Sequence, residues 1–240
     1  MPGVFARVAD GIRASFAALD PRVRLWFHPF VATGLLAEEI LAGAAADVFV
    51  SANRRYMDEV VAAGLVASPC VVAGNRLCIV VERGRAAEVA GLEDLTRPAL
   101  RVVTPQSRTD PCGQYVVELF GRAGLTGAMA AKEQSGELFH SRGSGDLPGY
   151  VTGGQAAAGI LYLSEARGIS DAVAVVELAP PLDLADSITF LAGAVGRPDP
   201  EPAAQAFVEH LARAPGQQVL ERAGMVPLAA MPRPGGGGAG

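Results

Sequence analysis

Apolar positions along the chain recur with two periods, helical spacing in some stretches and alternation or short continuous runs in others. Residues 4–19, "VFARVADGIRASFAAL", place apolar side chains at helical spacing and end at Asp20-Pro21, so they predict a helix. "VRLWF" at 23–27 predicts a strand. Thr33 stands where its hydroxyl would N-cap a helix over 34–43, accepting from an amide of the first turn that has no partner inside the helix. Residues 47–50 predict a buried strand and 56–63 a helix closed by Gly64. "PCVVAGNRLCIVVERG" reads as two β-branched runs around the turn residues Ala73-Gly74-Asn75. A short helix begins at 92–95, "ALRVVTP" is a strand, and "DPCGQYVVELFGRAGL" is a loop feeding a helix. After a polar, Gly-rich stretch come a helix at 147–153, the strand "AAAGILYL" and a short helix at 164–167. The strands "AVAVVEL" and "SITFLAGAV" follow, then terminal helices at 202–214 and 216–223.

This alternation of strand and helix predicts an α/β architecture with mostly parallel sheets. The number and shortness of the strands fit two lobes, with crossovers near residue 76 ("RLCIVV") and near residue 180 ("ELAPPLDLA"). Residues 1–76 together with 183–232 then form one lobe and 77–182 the other, leaving 233–240 as a disordered, low-complexity tail. In open α/β sheets, ligands bind beyond the carboxyl ends of strands, where helix N-termini present free N–H groups. Two lobes facing each other would make a cleft able to close by a hinge.

Composition narrows the function classes. Half of the 240 residues are hydrophobic, enough for a substantial core. A net charge of −5 and a pI near 5.3 argue against a nucleic-acid surface. Lys132 is the sole lysine, so 19 of the 20 basic residues are arginine. No apolar run reaches the roughly 18–20 residues of a membrane span, and no secretory signal opens the sequence as written. Cys70, Cys78 and Cys112 lack metal-like spacing and read as free core thiols, with a Cys70–Cys78 bridge as the alternative in an oxidising compartment.

Catalytic chemistry finds little support. His28, His140 and His210 lie far apart, outside any catalytic motif, and His210 reads as solvated helix surface. "RGSGD" lacks the Gly-Lys-Ser/Thr ending of a phosphate loop, and no carboxylate pair stands out as an acid–base couple. Nothing calls for a cofactor. Anion binding is better supported. "PFVATGLLAEEI", "VSANRRYMDEV", "TPQSRTDPCGQYVVEL" and "SRGSGDLPGYV" all carry hydroxyls, small residues or glycines where a helix begins. Such junctions expose amides that attract an oxyanion without a basic cluster.

The segment "GAAADVFVSANRRYMDEVVAAGLV" resembles the molybdate/tungstate-binding proteins of ABC importers. "ATGLLAEEILAG", "NRLCIVV", "LRVVTPQSRTDPCGQYVVELFGRAGL", "GYVTGGQAAAGILYLSEA" and "FVEHLARAPGQQVLERAGMVP" match further, in the family's order and from residue 1 to about 227. The resemblance implies a type II periplasmic-binding-protein fold and a tetrahedral oxyanion held by hydroxyls and amides between the lobes. It assigns the family's hydroxyl before the "LA-x-x-I" helix to Thr33, an amide to Cys112, another to the loop near Ser144, and the tyrosine ending the "GI-x-Y" strand to Tyr162. Asp110 in "DPCG" is similar to an aspartate that coordinates the metal directly in the tungstate-selective branch, and Ser51 falls on the rim. Molybdenum or tungsten would enter only as part of the oxyanion. The implied partner is an ABC permease, the implied location extracytoplasmic, and the implied state a monomer. The family opens with a strand and a "G-S" turn whose serine also binds the anion; a chain starting at "MPGVF" would lack that strand, that ligand and the export signal. An intracellular sensor, or a binding protein for another small anion, is the alternative.

Overall fold

The computed structural model describes residues 1–196 and 200–231. A 3-10 segment, Gly3–Val8, runs into helix α1, Ala9–Leu19. Then come α2 (Thr33–Leu41), β1 (Val48–Ser51), α3 (Arg54–Ala62), β2 (Cys70–Gly74) and β3 (Leu77–Glu82). After a 3-10 turn at Leu92–Thr96 follow β4 (Val102–Pro105), α4 (Pro111–Arg122), α5 (Thr126–Gln134) and β5 (Leu138–Ser141). The chain continues through α6 (Leu147–Thr152), β6 (Ala158–Tyr162), α7 (Leu163–Arg167), β7 (Val173–Glu177), β8 (Thr189–Ala194), α8 (Pro202–Ala212) and α9 (Gly216–Arg222).

The strands form two sheets, a three-stranded one ordered β1-β8-β2 and a five-stranded one ordered β5-β4-β6-β3-β7. The two β-branched runs around Ala73-Gly74-Asn75 are therefore no hairpin, since β2 ends one sheet and β3 enters the other. The expected α/β class holds, but parallel pairing is confined to β5-β4-β6, and the other four pairings are antiparallel. The cause is direction of entry: β3 carries the chain into the larger sheet against its neighbours, and β8 returns it between β1 and β2 against both. As a result the carboxyl ends of β4 and β5 lie side by side, Pro105 opposite Ser141, while Tyr162 at the end of β6 faces Leu77 at the start of β3.

Three further expectations fail. Residues 23–27 form no ladder, although the predicted alternation is real: Val23, Leu25 and Phe27 pack on the core while Trp26 is 79% exposed. A strand needs a neighbour, and a cavity lined by both 23–28 and 48–50 separates this stretch from β1. The polar stretch after residue 125 contains α5 and β5. Only Met129 and Lys132 of α5 are buried, leaving little apolar periodicity to read. His210 is 3% exposed rather than solvated: its Nε2 lies 2.8 Å from Ser15 Oγ, and its ring packs edge-on against Phe16. All three cysteines are free thiols, with Cys78 and Cys112 buried. The predicted tail at 233–240 lies outside the described residues.

Candidate functional site

The four helix-start junctions converge. Ala32 and Thr33 at the start of α2, Ala52 before α3, Asp110 and Pro111 at the start of α4, and Gly143 and Ser144 after β5 all line one cavity of about 380 Å³. Tyr162 completes its floor, and Pro2, Gly3, Val4, Phe30 and Val31 close one side.

Each junction is held by local chemistry. Thr33 lies inside the first turn of α2 and does not cap it, because Ala32 takes the extended N-cap conformation one residue earlier than expected. The Thr33 hydroxyl is buried and accepts instead from the Ala52 amide at 3.3 Å. Ser51 is fully buried, but its hydroxyl is used within the turn, donating to Asn53 O at 2.6 Å and accepting from Asn53 N at 3.3 Å. Asn53 caps α3 by accepting from the Tyr56 amide at 3.1 Å. Gln106 shapes the loop before α4: its Oε1 accepts from the amides of Arg108 and Thr109, and its Nε2 donates to Thr109 Oγ1 and Arg142 O. Thr109 O accepts in turn from Gly34 N at 2.9 Å, fastening α2 to this loop.

The sequence-assigned donors differ in state. Tyr162 is 1% exposed, lines the cavity, and its hydroxyl has no hydrogen-bond partner among the described residues. Burial pushes that phenol well above its usual pKa, so it is a neutral O–H donor. Ser144 lines the cavity and Cys112 lies behind the lining, and both amides are occupied: Asp110 Oδ1 accepts from Cys112 N and Oδ2 from Ser144 N, both at 2.8 Å. Cys112 itself is fully buried, and its thiol is pushed well up by burial, which makes it packing rather than a nucleophile. Asp110 is 4% exposed, and burial raises its carboxyl to about 6 against the opposing pull of the Ser144, Cys112 and Gly113 amides.

Sequence reasoning missed one charged group outright. Glu165 sits in the first turn of α7, three residues beyond Tyr162, and is buried. Its Oε1 lies 3.4 Å from Ser144 Oγ, and its Oε2 has no partner among the described residues. Burial first, then the Asp110 charge, push it up to about 8. The one signal in the sequence was a carboxylate immediately after an apolar strand, in "LYLSEA". Of the described arginines, only Arg142 lines the cavity, and its guanidinium turns to Asp146 at 3.1 Å. No group of three His, Cys, Asp or Glu side chains among the described residues is placed to hold a bare metal ion. Beside the Asp110 carboxylate, the site therefore presents neutral hydroxyls and backbone amides, a donor set suited to an oxyanion.

The chain is similar to proteins already known. The molybdate-binding protein ModA of Mycobacterium tuberculosis, and that of Mycobacterium bovis, are 33% identical over 215 residues, covering 89% of this chain and 77% of those proteins. Among solved structures, the periplasmic molybdate-binding protein of Azotobacter vinelandii superposes with a TM-score of 0.78 at 16% identity, covering 97% of each chain. The sulfate-binding protein SubI of Mycobacterium tuberculosis superposes with a TM-score of 0.75 at 17% identity, over 92% of this chain and 82% of that one. These likenesses identify the fold as that of periplasmic solute-binding proteins. Residues 2–226 match the family of bacterial extracellular solute-binding proteins, and the chain belongs to that family.

Proposed function

We propose that this protein captures molybdate or tungstate in the cavity between its two sheets and delivers it to an ABC permease outside the cytoplasm. The observation that carries the reading is the Tyr162 hydroxyl, buried, unpaired and facing a cavity ringed by helix starts. An unsatisfied buried donor costs stability unless something fills it, and an oxyanion would. Thr33, Ser144 and the Cys112 amide supply the remaining donors, each worth roughly 1.5–3 kcal/mol toward a charged acceptor. Asp110 stands against the cavity wall and Ser51 behind its rim. The kinship with proteins named for molybdate binding supports this choice of anion over others. Residues 1–76 with 183–232 and residues 77–182 would act as the two lobes. The contacts from α2 and α3 to the loop before α4 would be those made on closure. No described helix is long and apolar enough to cross a membrane.

Thermal-shift measurements with molybdate, tungstate, sulfate and phosphate test the anion: the first two should raise Tm and the last two should not. A Tyr162→Phe variant tests the site. Its affinity should fall by about 1–3 kcal/mol, the usual effect of leaving a buried acceptor unpaired. Its empty form should melt no lower than wild type, since the hydroxyl it loses has no partner there. Unchanged affinity removes Tyr162 from the site.

A further inference from the structure

Asp110 is bonded as a ligand would be. Its two oxygens accept from amides 32 residues apart in sequence, Cys112 in the first turn of α4 and Ser144 after β5. Capping α4 needs only the first of these bonds. The second crosses the cavity wall, and it depends on Gly143: a Cβ there would stand 2.9 Å from Asp110 Oδ2. These are the same two amides that the family resemblance assigns to the bound oxyanion. The carboxylate lines the cavity beside the unpaired Tyr162 hydroxyl.

We propose that Asp110 is a tethered anion that fills the amide cradle of the empty cavity, so that an incoming oxyanion must displace its carboxylate or meet it protonated. This rests on the oxyanion reading above. Asp110 then sets both how tightly the oxyanion binds and how binding responds to pH. The titratable and charged groups around it are Cys112 of α4, Tyr162 of β6, Glu165 of α7, and Arg142 and Asp146 beside Ser144. Among the described residues no arginine bonds to it, and what moves it is burial against three backbone amides, which leaves it titrating at about 6. A dianion in the cradle repels the ionised form, so the complex holds the proton to higher pH than the empty protein. The complex then carries more protons than the empty form above pH 6, and affinity falls as pH rises, by up to about tenfold per unit.

Titration calorimetry with molybdate and tungstate, on wild type and Asp110→Asn at pH 5.5 and pH 8, tests this. Asparagine keeps an acceptor for the Cys112 amide and still caps a helix, but carries no charge. Wild type should bind about tenfold or more weakly at pH 8 than at pH 5.5. Asp110→Asn should bind about tenfold tighter than wild type at pH 8 and change little between the two pH values. Asp110→Ser, also a helix-capping residue, should behave alike and serves if the amide variant does not fold. Wild-type binding with a weaker Asp110→Asn at pH 8, or a wild type indifferent to pH, overturns the tethered anion alone. Failure of wild type and both variants to bind molybdate, tungstate, sulfate or phosphate at either pH overturns the oxyanion reading, and the proposal with it.

Discussion

Glu165 sits where its charge is least welcome. It is buried, one carboxylate oxygen is unpaired, and Asp110 stands nearby, so its pKa is pushed up to about 8. Such a group binds its proton in the folded chain at pH values where the unfolded chain has released it. Stability of the empty protein should therefore fall as pH rises from about 4.5 toward 8, at on the order of 1.4 kcal/mol per unit at most. Asp110 adds a fall of the same sign between its usual range and about 6. Glu165→Gln, neutral at every pH, should flatten the dependence above pH 6 and raise Tm at pH 8, measured by denaturation across that range. An unchanged slope would place the titration elsewhere. These residues also mark the limit of the sequence. The family resemblance made Thr33, Ser144 and Tyr162 legible as candidates, and all three line the cavity. The state of Asp110 was not, because its second partner comes from another loop and only the fold brings the two together. Glu165 was hidden for a similar reason: burial, not residue type, gives it its properties.

At the scale of elements, the start of α4 depends on how closely it meets the strand before it. A Cβ on Gly113 would come within 2.5 Å of Gln106 O and Pro105 O, so the helix can follow β4 this tightly only with glycine. Both obstacles are backbone and cannot swing aside. Gly113→Ala should cost about 1–3 kcal/mol or more in unfolding free energy. It should also weaken anion binding, since the Cys112 amide would shift with the helix start. A stability within error of wild type would mean the loop adapts freely. Helices and strands with a clear apolar face were read correctly from the pattern, β1, β4, β6 and β8 among them. The elements missed were α5 and β5, whose exposed faces dominate their sequences. Residues 23–27 erred in the other direction. Their alternation records which side chains face the core, but hydrogen-bonded pairing is a property of two segments, and one segment cannot reveal it.

At the scale of the whole molecule, a small polar seam runs beside the apolar core that the two sheets share. Gln114 in α4 accepts from Asn53 Nδ2 at 2.8 Å and donates to the Tyr56 hydroxyl at 2.8 Å, and that hydroxyl donates to Arg108 O at 2.9 Å. Gly34 N bonds Thr109 O alongside. None of these groups touches the Tyr162 hydroxyl, yet all join the helices beside the small sheet to the loop that presents Asp110. If the sheets move as two bodies, the seam forms only on closure, and its bonds favour the closed, binding-competent population without contacting the anion. Gln114→Ala removes two of its bonds. Affinity should then drop by about 1–2 kcal/mol, a factor of roughly 5–30, mostly through faster release. The empty variant should show a larger radius of gyration by small-angle scattering, while saturating anion restores the wild-type value. Weaker binding with no change in radius would make the seam static packing, transmitting its loss through the cavity wall rather than through closure. Unchanged affinity would separate the seam from the site altogether. The α/β class could be read in advance because it follows from the alternation of strand and helix along the chain. The seam could not, because it consists of side chains from α3 and α4 that become neighbours only when the two sheets face each other.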